Sequence, residues 1–128
     1  MAILRLYQEL LQVATERFKD IVDEGKIFFT ESGEPLKLRL NVIDGSFIDV
    51  FYSARGRYSF HWERREINGT FYRYDNAPHP RWKDIKTFPR HFHDGSEENC
   101  KESYLSDEPI AAMEEILKFM KSKLGQRI

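Results

Sequence analysis

The sequence contains one cysteine, Cys100, in 128 residues. A disulfide within one chain is therefore excluded, and a reducing setting is the natural expectation. Long apolar runs are also missing. None approaches the roughly 20 residues that span a bilayer. No basic-then-apolar opening segment reads as a secretory signal. These absences predict a cytoplasmic protein with no membrane partner. Net charge is nearly absent, with 20 Lys and Arg against 21 Asp and Glu. The overall balance therefore says nothing about nucleic acid. There is no HExxH and no CxxC, so no metal motif of fixed spacing is present. Internal repeats and low-complexity tracts are missing as well.

What remains describes one domain over residues 1–128. Hydrophobic residues make up 41% and charged residues 32%, enough for a core without covalent staples. The charge is segregated along the chain. Nine Lys and Arg lie between Arg55 and Arg90 against four acids, and acids dominate from Gly95 to Glu108. Such segregation suits a surface that meets an anion.

Apolar spacing divides the chain into elements. Ile3, Tyr7, Leu10, Ala14, Phe18 and Ile21 recur at helical spacing, with Gly25 as the expected stop. KIFFT (26–30) reads as a short strand. PLKLRLNVI (35–43) alternates cleanly as a half-buried strand. Asp44-Gly45 and Asn68-Gly69 each suit a two-residue hairpin turn, and Ala54-Arg55-Gly56 forms a turn between them. The pattern predicts an α+β fold: an antiparallel meander of four to five strands against an N-terminal and a C-terminal helix. The helices would cover one face and leave the other partly open. After Asn76, prolines argue against an inner ladder. Residues 76–93 are expected to be irregular and residues 94–106 a loop. Ser106 or Asp107 is the expected cap of the last helix, with Pro109 in its first turn and Gly125 at its end.

A two-residue turn at Asn68-Gly69 would place Glu63 opposite Tyr74 and His61 opposite Asn76. Tyr58, Phe60 and Trp62 would then share the other face with Arg73 and Asp75. A regular first hairpin would likewise put Asp49 beside Leu40, Phe47 and Phe51. A carboxylate placed there needs a partner, and Arg73 is the candidate.

The four histidines, His61, His79, His91 and His93, are the chemical feature of the chain. An extended His91-x-His93 puts two imidazoles on one side. With His79 or His61, and Asp75 or Asp94 nearby, the set has the residue types of a zinc site. The same residues suit metal-independent RNA cleavage. Histidine can act as base and acid near neutral pH. Arg73, Arg81 and Arg90 can hold phosphate. Trp82, Tyr74, Phe88 and Phe92 can stack on unpaired bases. Each feature also has a structural reading, as a surface histidine, an ion pair, or an aromatic that pins a loop.

Three strings, YSFHWE (58–63), RYDNAPHP (73–80) and TFPRHFH (87–93), stand in this order before a C-terminal helix. Together they resemble the TumE-type toxins of prokaryotic toxin–antitoxin modules, over about Leu36 to His93. The resemblance carries over His61, Arg73, Tyr74, Asp75, Asn76, His79, His91 and His93. Pro80 and Arg90 stand where that family often has further histidines, which weakens a multi-histidine metal site more than an acid–base pair. The resemblance implies an antitoxin partner, usually a DNA-binding helix-turn-helix protein.

The expectation from these readings is a toxin acting on RNA, a candidate ribonuclease without a cofactor. His61, Arg73, Asp75, His79, His91 and His93 are its candidate catalytic residues. Tyr74, Asn76, Arg81, Trp82 and Arg90 are its candidate substrate contacts. A non-catalytic interaction module and a transition-metal enzyme on a small substrate stand as alternatives, and a homodimer is left open.

Overall fold

The computed structural model describes residues 2–125. Helix α1 (Ile3–Arg17) is followed by strands β1 (Val22–Phe29), β2 (Pro35–Val42), β3 (Phe47–Tyr52) and β4 (Tyr58–Arg64). One helical turn, α2 (Arg65–Asn68), leads to β5 (Thr70–Asp75). A 3-10 turn (Pro80–Trp82) precedes β6 (His91–Gly95) and β7 (Cys100–Glu102), and α3 (Pro109–Leu124) closes the fold. The fold is α+β, with one antiparallel sheet whose seven strands lie side by side in chain order. The extra strands lengthen the expected meander on its C-terminal side.

Helix α1 buries Leu6, Tyr7, Leu10 and Ala14 on one stripe and stops at Arg17. Phe18 and Ile21 are buried too, but in the turn that leads into β1. Gly25 is therefore no helix stop. It lies within β1, where a Cβ would stand 2.4 Å from Leu11 Cδ1 and 2.8 Å from Leu40 Cδ2. Its missing side chain lets the helix approach the sheet. Helix α3 buries Met113, Ile116, Leu117 and Met120 against the same core. The sheet contributes Leu38, Leu40, Ile48, Val50, Phe60, Trp62 and Tyr72. Both helices thus cover one face, as the two amphipathic stripes require. The cap of α3 is Glu108, not Ser106 or Asp107. Its carboxylate accepts from the N–H groups of Ile110 (2.8 Å) and Ala111 (3.0 Å).

Two hairpins depart from the two-residue turns that their dipeptides suggest. In the first, Asn41 opposes Phe47 and Arg39 opposes Asp49. The Asp44 carboxylate accepts the Ser46 N–H at 3.0 Å and pairs with Arg64 at 2.9 Å, while the Trp62 indole donates to the Ser46 hydroxyl at 2.8 Å. These bonds hold a loop one residue longer. The one-residue shift moves Asp49 from the apolar face to the polar one.

In the second hairpin Arg64 opposes Thr70, and residues 65–69 form the connection. The Glu63 carboxylate accepts the Arg65 N–H at 2.9 Å and starts the α2 turn. Gly69, at φ 80, ends it in the left-handed region, where glycine is unstrained. The register differs from the expected one by three residues. Three is odd, so every facing pair changes. His61 opposes Arg73 instead of Asn76, Glu63 opposes Phe71 instead of Tyr74, and Trp62 opposes Tyr72 rather than Asp75.

The prolines of residues 76–90 stay out of the ladder, as expected, but His91 and His93 do not. They lie on β6, paired with β5 and with the short edge strand β7, which interrupts the expected loop.

Tyr7 ties α1 to the sheet. Its buried hydroxyl accepts the Tyr52 N–H at 3.0 Å and lies 3.2 Å from the Leu36 carbonyl. Tyr7→Phe leaves both backbone groups short of a partner. It should lower unfolding stability by about 1–3 kcal/mol. Urea titration checks this, and an unchanged midpoint would contradict it.

Candidate functional site

Alternation puts one row of side chains across the face that the helices leave bare. Lys26, Arg39, Asp49, His61, Arg73, His93 and Cys100 are successive cross-strand partners from β1 to β7. The adjacent row holds Phe28, Lys37, Ser59, Asp75, His91 and Glu102. On the other side of it, Phe47 opposes Glu63, which opposes Phe71.

Asp49 serves Arg39 and Lys37, not Arg73. Arg39 binds it through two nitrogens at 2.7 and 2.9 Å, and Lys37 adds a bond at 3.0 Å. Burial pushes its carboxyl up, but the two cations outweigh burial and hold it below the usual carboxylate range. The Arg39 guanidinium also lies 3.8 Å from the centre of the Phe47 ring, and Lys26 and Lys37 lie 5.2 and 5.3 Å from that of Phe28. Cations thus alternate with aromatic rings on the open face.

His61 is the chemical centre of the row. The Arg73 Nε–H donates to its Nδ1 at 3.0 Å. Nδ1 is therefore the acceptor, the proton sits on Nε2, and Nε2 donates to Glu63 Oε1 at 2.9 Å. The ring stacks on Phe71 at 5.1 Å. Burial lowers the His61 pKa, Glu63 opposes that and Arg73 reinforces it, leaving the imidazole below its ordinary value and neutral at pH 7. Glu63 is held down to about 2, first by Arg65 and then by His61. The result is a carboxylate–imidazole pair whose free nitrogen is covered by an arginine. Glu63 was not among the expected site residues, although its place two residues after His61 on a strand puts both on one face.

A second group lies further along the row. His91 and His93 are 2% and 1% exposed. The Trp82 ring packs 5.5 Å from His93 and 6.4 Å from His91 and closes them off. His91 Nδ1 meets the Pro89 carbonyl at 2.9 Å, and its Nε2 meets Asp75 at 3.1 Å. Burial lowers the His91 pKa, but Asp75 and Pro89 raise it further, so it ends above the ordinary value. His93 Nδ1 meets the Glu97 carbonyl at 3.0 Å, and burial holds this imidazole below its ordinary value. The ligand atoms of His91, His93 and Cys100 all lie within 4.8 Å of one another. Burial and nearby acids push the Cys100 thiol up to about 11, which keeps it protonated and a poor nucleophile.

The remaining expected residues are dispersed. His79 is exposed, and its Nδ1 accepts the Arg81 N–H at 3.1 Å, capping the 3-10 turn. Arg81 pairs with Glu98 and lies over Trp82. Arg90 bonds the Leu105 carbonyl and pairs with Asp107, fastening the loop to the chain before α3. Asn76 accepts the Tyr58 N–H at 3.0 Å and donates to the Gly56 carbonyl at 2.9 Å. Tyr74 points to the covered face, stacked 4.3 Å from Phe92 and edge-on to Phe119. The histidines therefore do not form one cluster. One is wired to Arg73 on the open face, two are buried beneath Trp82, and one caps a turn.

A family model described as toxin TumE matches residues 10–124. No curated protein and no solved structure matches the chain. Among the described residues, no helix is long and apolar enough to cross a membrane.

The wiring of His61 gives signed expectations. Its imidazole should titrate below about 6.5 by NMR. Arg73→Gln should raise that pKa, and Glu63→Gln should lower it further. Because the folded pKa is depressed, His61 contributes stability that is present above about pH 6.5 and lost as pH falls through the folded value. A wild-type His61 that titrates at or above the ordinary value would contradict this arrangement.

Proposed function

The chain belongs to the TumE toxin family and is thus the toxin component of a toxin–antitoxin module, and from that premise we propose that it acts on RNA as a metal-independent ribonuclease. The observation that carries this reading is the Glu63–His61–Arg73 relay, set among cations and aromatic rings on the bare sheet face. A flat face with alternating rings and cations suits an unpaired strand. Bases stack on the rings while cations follow the phosphates. Phe28, Phe47 and the exposed Phe51 are the rings available there. They take the stacking role expected of Tyr74.

The relay suggests the chemistry. A phosphate entering the row draws the Arg73 guanidinium to itself, which uncovers His61 Nδ1. The freed nitrogen takes the proton of the 2′-hydroxyl, and the 2′-oxygen attacks phosphorus. Glu63, already hydrogen-bonded to Nε2, stabilises the imidazolium, and Arg73 stabilises the charge on the pentacoordinate phosphorus. The 5′-oxygen leaves with a proton from water, since the exposed His79 uses Nδ1 to cap the 3-10 turn. The products are a 2′,3′-cyclic phosphate and a 5′-hydroxyl. In this reading Asp75, His91 and His93 shape the closed end of the row and do not touch RNA. The same reading takes the antitoxin to be a helix-turn-helix protein and the setting to be a prokaryotic cytoplasm. It needs no second copy of the chain.

Purified toxin incubated with total RNA in magnesium-free buffer tests the proposal. Cleavage with cyclic-phosphate ends is expected. His61→Ala should slow it about a hundred- to ten-thousand-fold and relieve growth arrest. RNA left intact with and without magnesium, together with arrest unchanged by His61→Ala, would defeat the proposal.

A further inference from the structure

The buried group beneath Trp82 has the build of a metal centre rather than of a catalytic pair. We propose that His91, His93 and Cys100 form a zinc site that fastens β6 to β7, with the Asp75 carboxylate beside it on β5.

Four observations converge. The first is proximity, since the ligand atoms of His91, His93 and Cys100 lie within 4.8 Å of one another. They come from neighbouring strands in register, His93 facing Cys100 across β6 and β7, and Asp75 facing His91 across β5 and β6. The second is ring orientation. Both histidines direct Nδ1 to a backbone carbonyl, Pro89 for His91 and Glu97 for His93. That is the outer bond which fixes a metal-binding imidazole and leaves Nε2 for the ion. The third is a neighbouring carboxylate. Asp75 Oδ1 stands 3.1 Å from His91 Nε2 and places negative charge beside the three ligand atoms. The fourth is enclosure. His91 and His93 are almost fully buried, and Trp82 covers them. Two imidazoles and a thiolate suit zinc, and their enclosure points to a structural ion.

Read as a plain ion pair, His91 and Asp75 leave the close approach of His93 and Cys100 to His91 without a purpose. The site does not depend on RNA chemistry. It would hold the sheet edge whatever the open face binds.

Chelator-treated full-length protein titrated with zinc chloride tests this. One equivalent should bind and survive gel filtration. The cobalt-substituted protein should show tetrahedral ligand-field bands and a thiolate-to-cobalt charge-transfer band. Cys100→Ser should abolish that band and weaken zinc binding at least tenfold. Asp94→Asn, on the other face of β6, should change neither. If Cys100→Ser does not fold, the wild-type thiol still reports. Zinc, and not magnesium, should slow its reaction with a disulfide reagent at least tenfold. Less than a tenth of an equivalent of bound zinc, a cobalt spectrum without the thiolate band, or a thiol that zinc leaves equally reactive would overturn the proposal.

Discussion

The pairing of β4 with β5 places His61 opposite Arg73, and the order of the open face depends on that one register. It is set by a helical turn of residues 65–69, begun by the Glu63 carboxylate and ended by Gly69 in the left-handed region. With this connection Trp62 and Phe60 face the helices together with Tyr72 and Tyr74, while His61, Glu63, Arg73 and Phe71 face outward. A slip of one residue would bury the cations and expose the core. Glu63 serves both ends of the constraint. It starts the turn that sets the register, and it holds the imidazole that the register delivers.

Covering the sheet on one side only has a functional consequence. The two helices supply the whole apolar layer, so the outer face is free to carry charge. Its two halves then differ. Over β1 to β4 it is bare, with Arg39, Lys37 and Asp49 set among Phe28, Phe47 and Phe51. Over β5 to β7 the 76–90 segment folds across it, and Trp82 seals His91 and His93 from water. His61 and Arg73 lie at the boundary. The exposed half offers stacking and charge to a nucleic acid strand, and the sealed half offers rigidity. An antitoxin that occupied the bare half would remove the binding surface and the free imidazole nitrogen together.

The fold was legible because its signals are periodic. The alternation in PLKLRLNV and the 3/4 spacing of Ile110, Met113, Leu117 and Met120 set element type and covered face without tertiary information. The registers were not legible, because Asp44-Gly45 and Asn68-Gly69 look the same in a two-residue turn and in a longer one. What distinguishes them is contributed by side chains outside the dipeptides, by Arg64 on Asp44 and Trp62 on Ser46, or by Glu63 accepting the Arg65 N–H. Proline hid β6 for a related reason. Pro89 stands two residues before the strand begins, so the proline signal for a broken ladder lies beside a ladder that is intact. His61 and Arg73 were found by residue type. Their contact, the role of Glu63, and Cys100 as the neighbour of two histidines all required the register.

The central claim is that the bare half of the sheet is the toxin's working surface and binds an unpaired RNA strand. NMR chemical shifts during titration with a short single-stranded oligoribonucleotide, using the His61→Ala protein to prevent turnover, test it most directly. The account predicts perturbations gathered at Lys26, Phe28, Lys37, Arg39, Phe47 and Arg73, weakening steeply with salt. Perturbations confined to α1 and α3, or none at all, would contradict it.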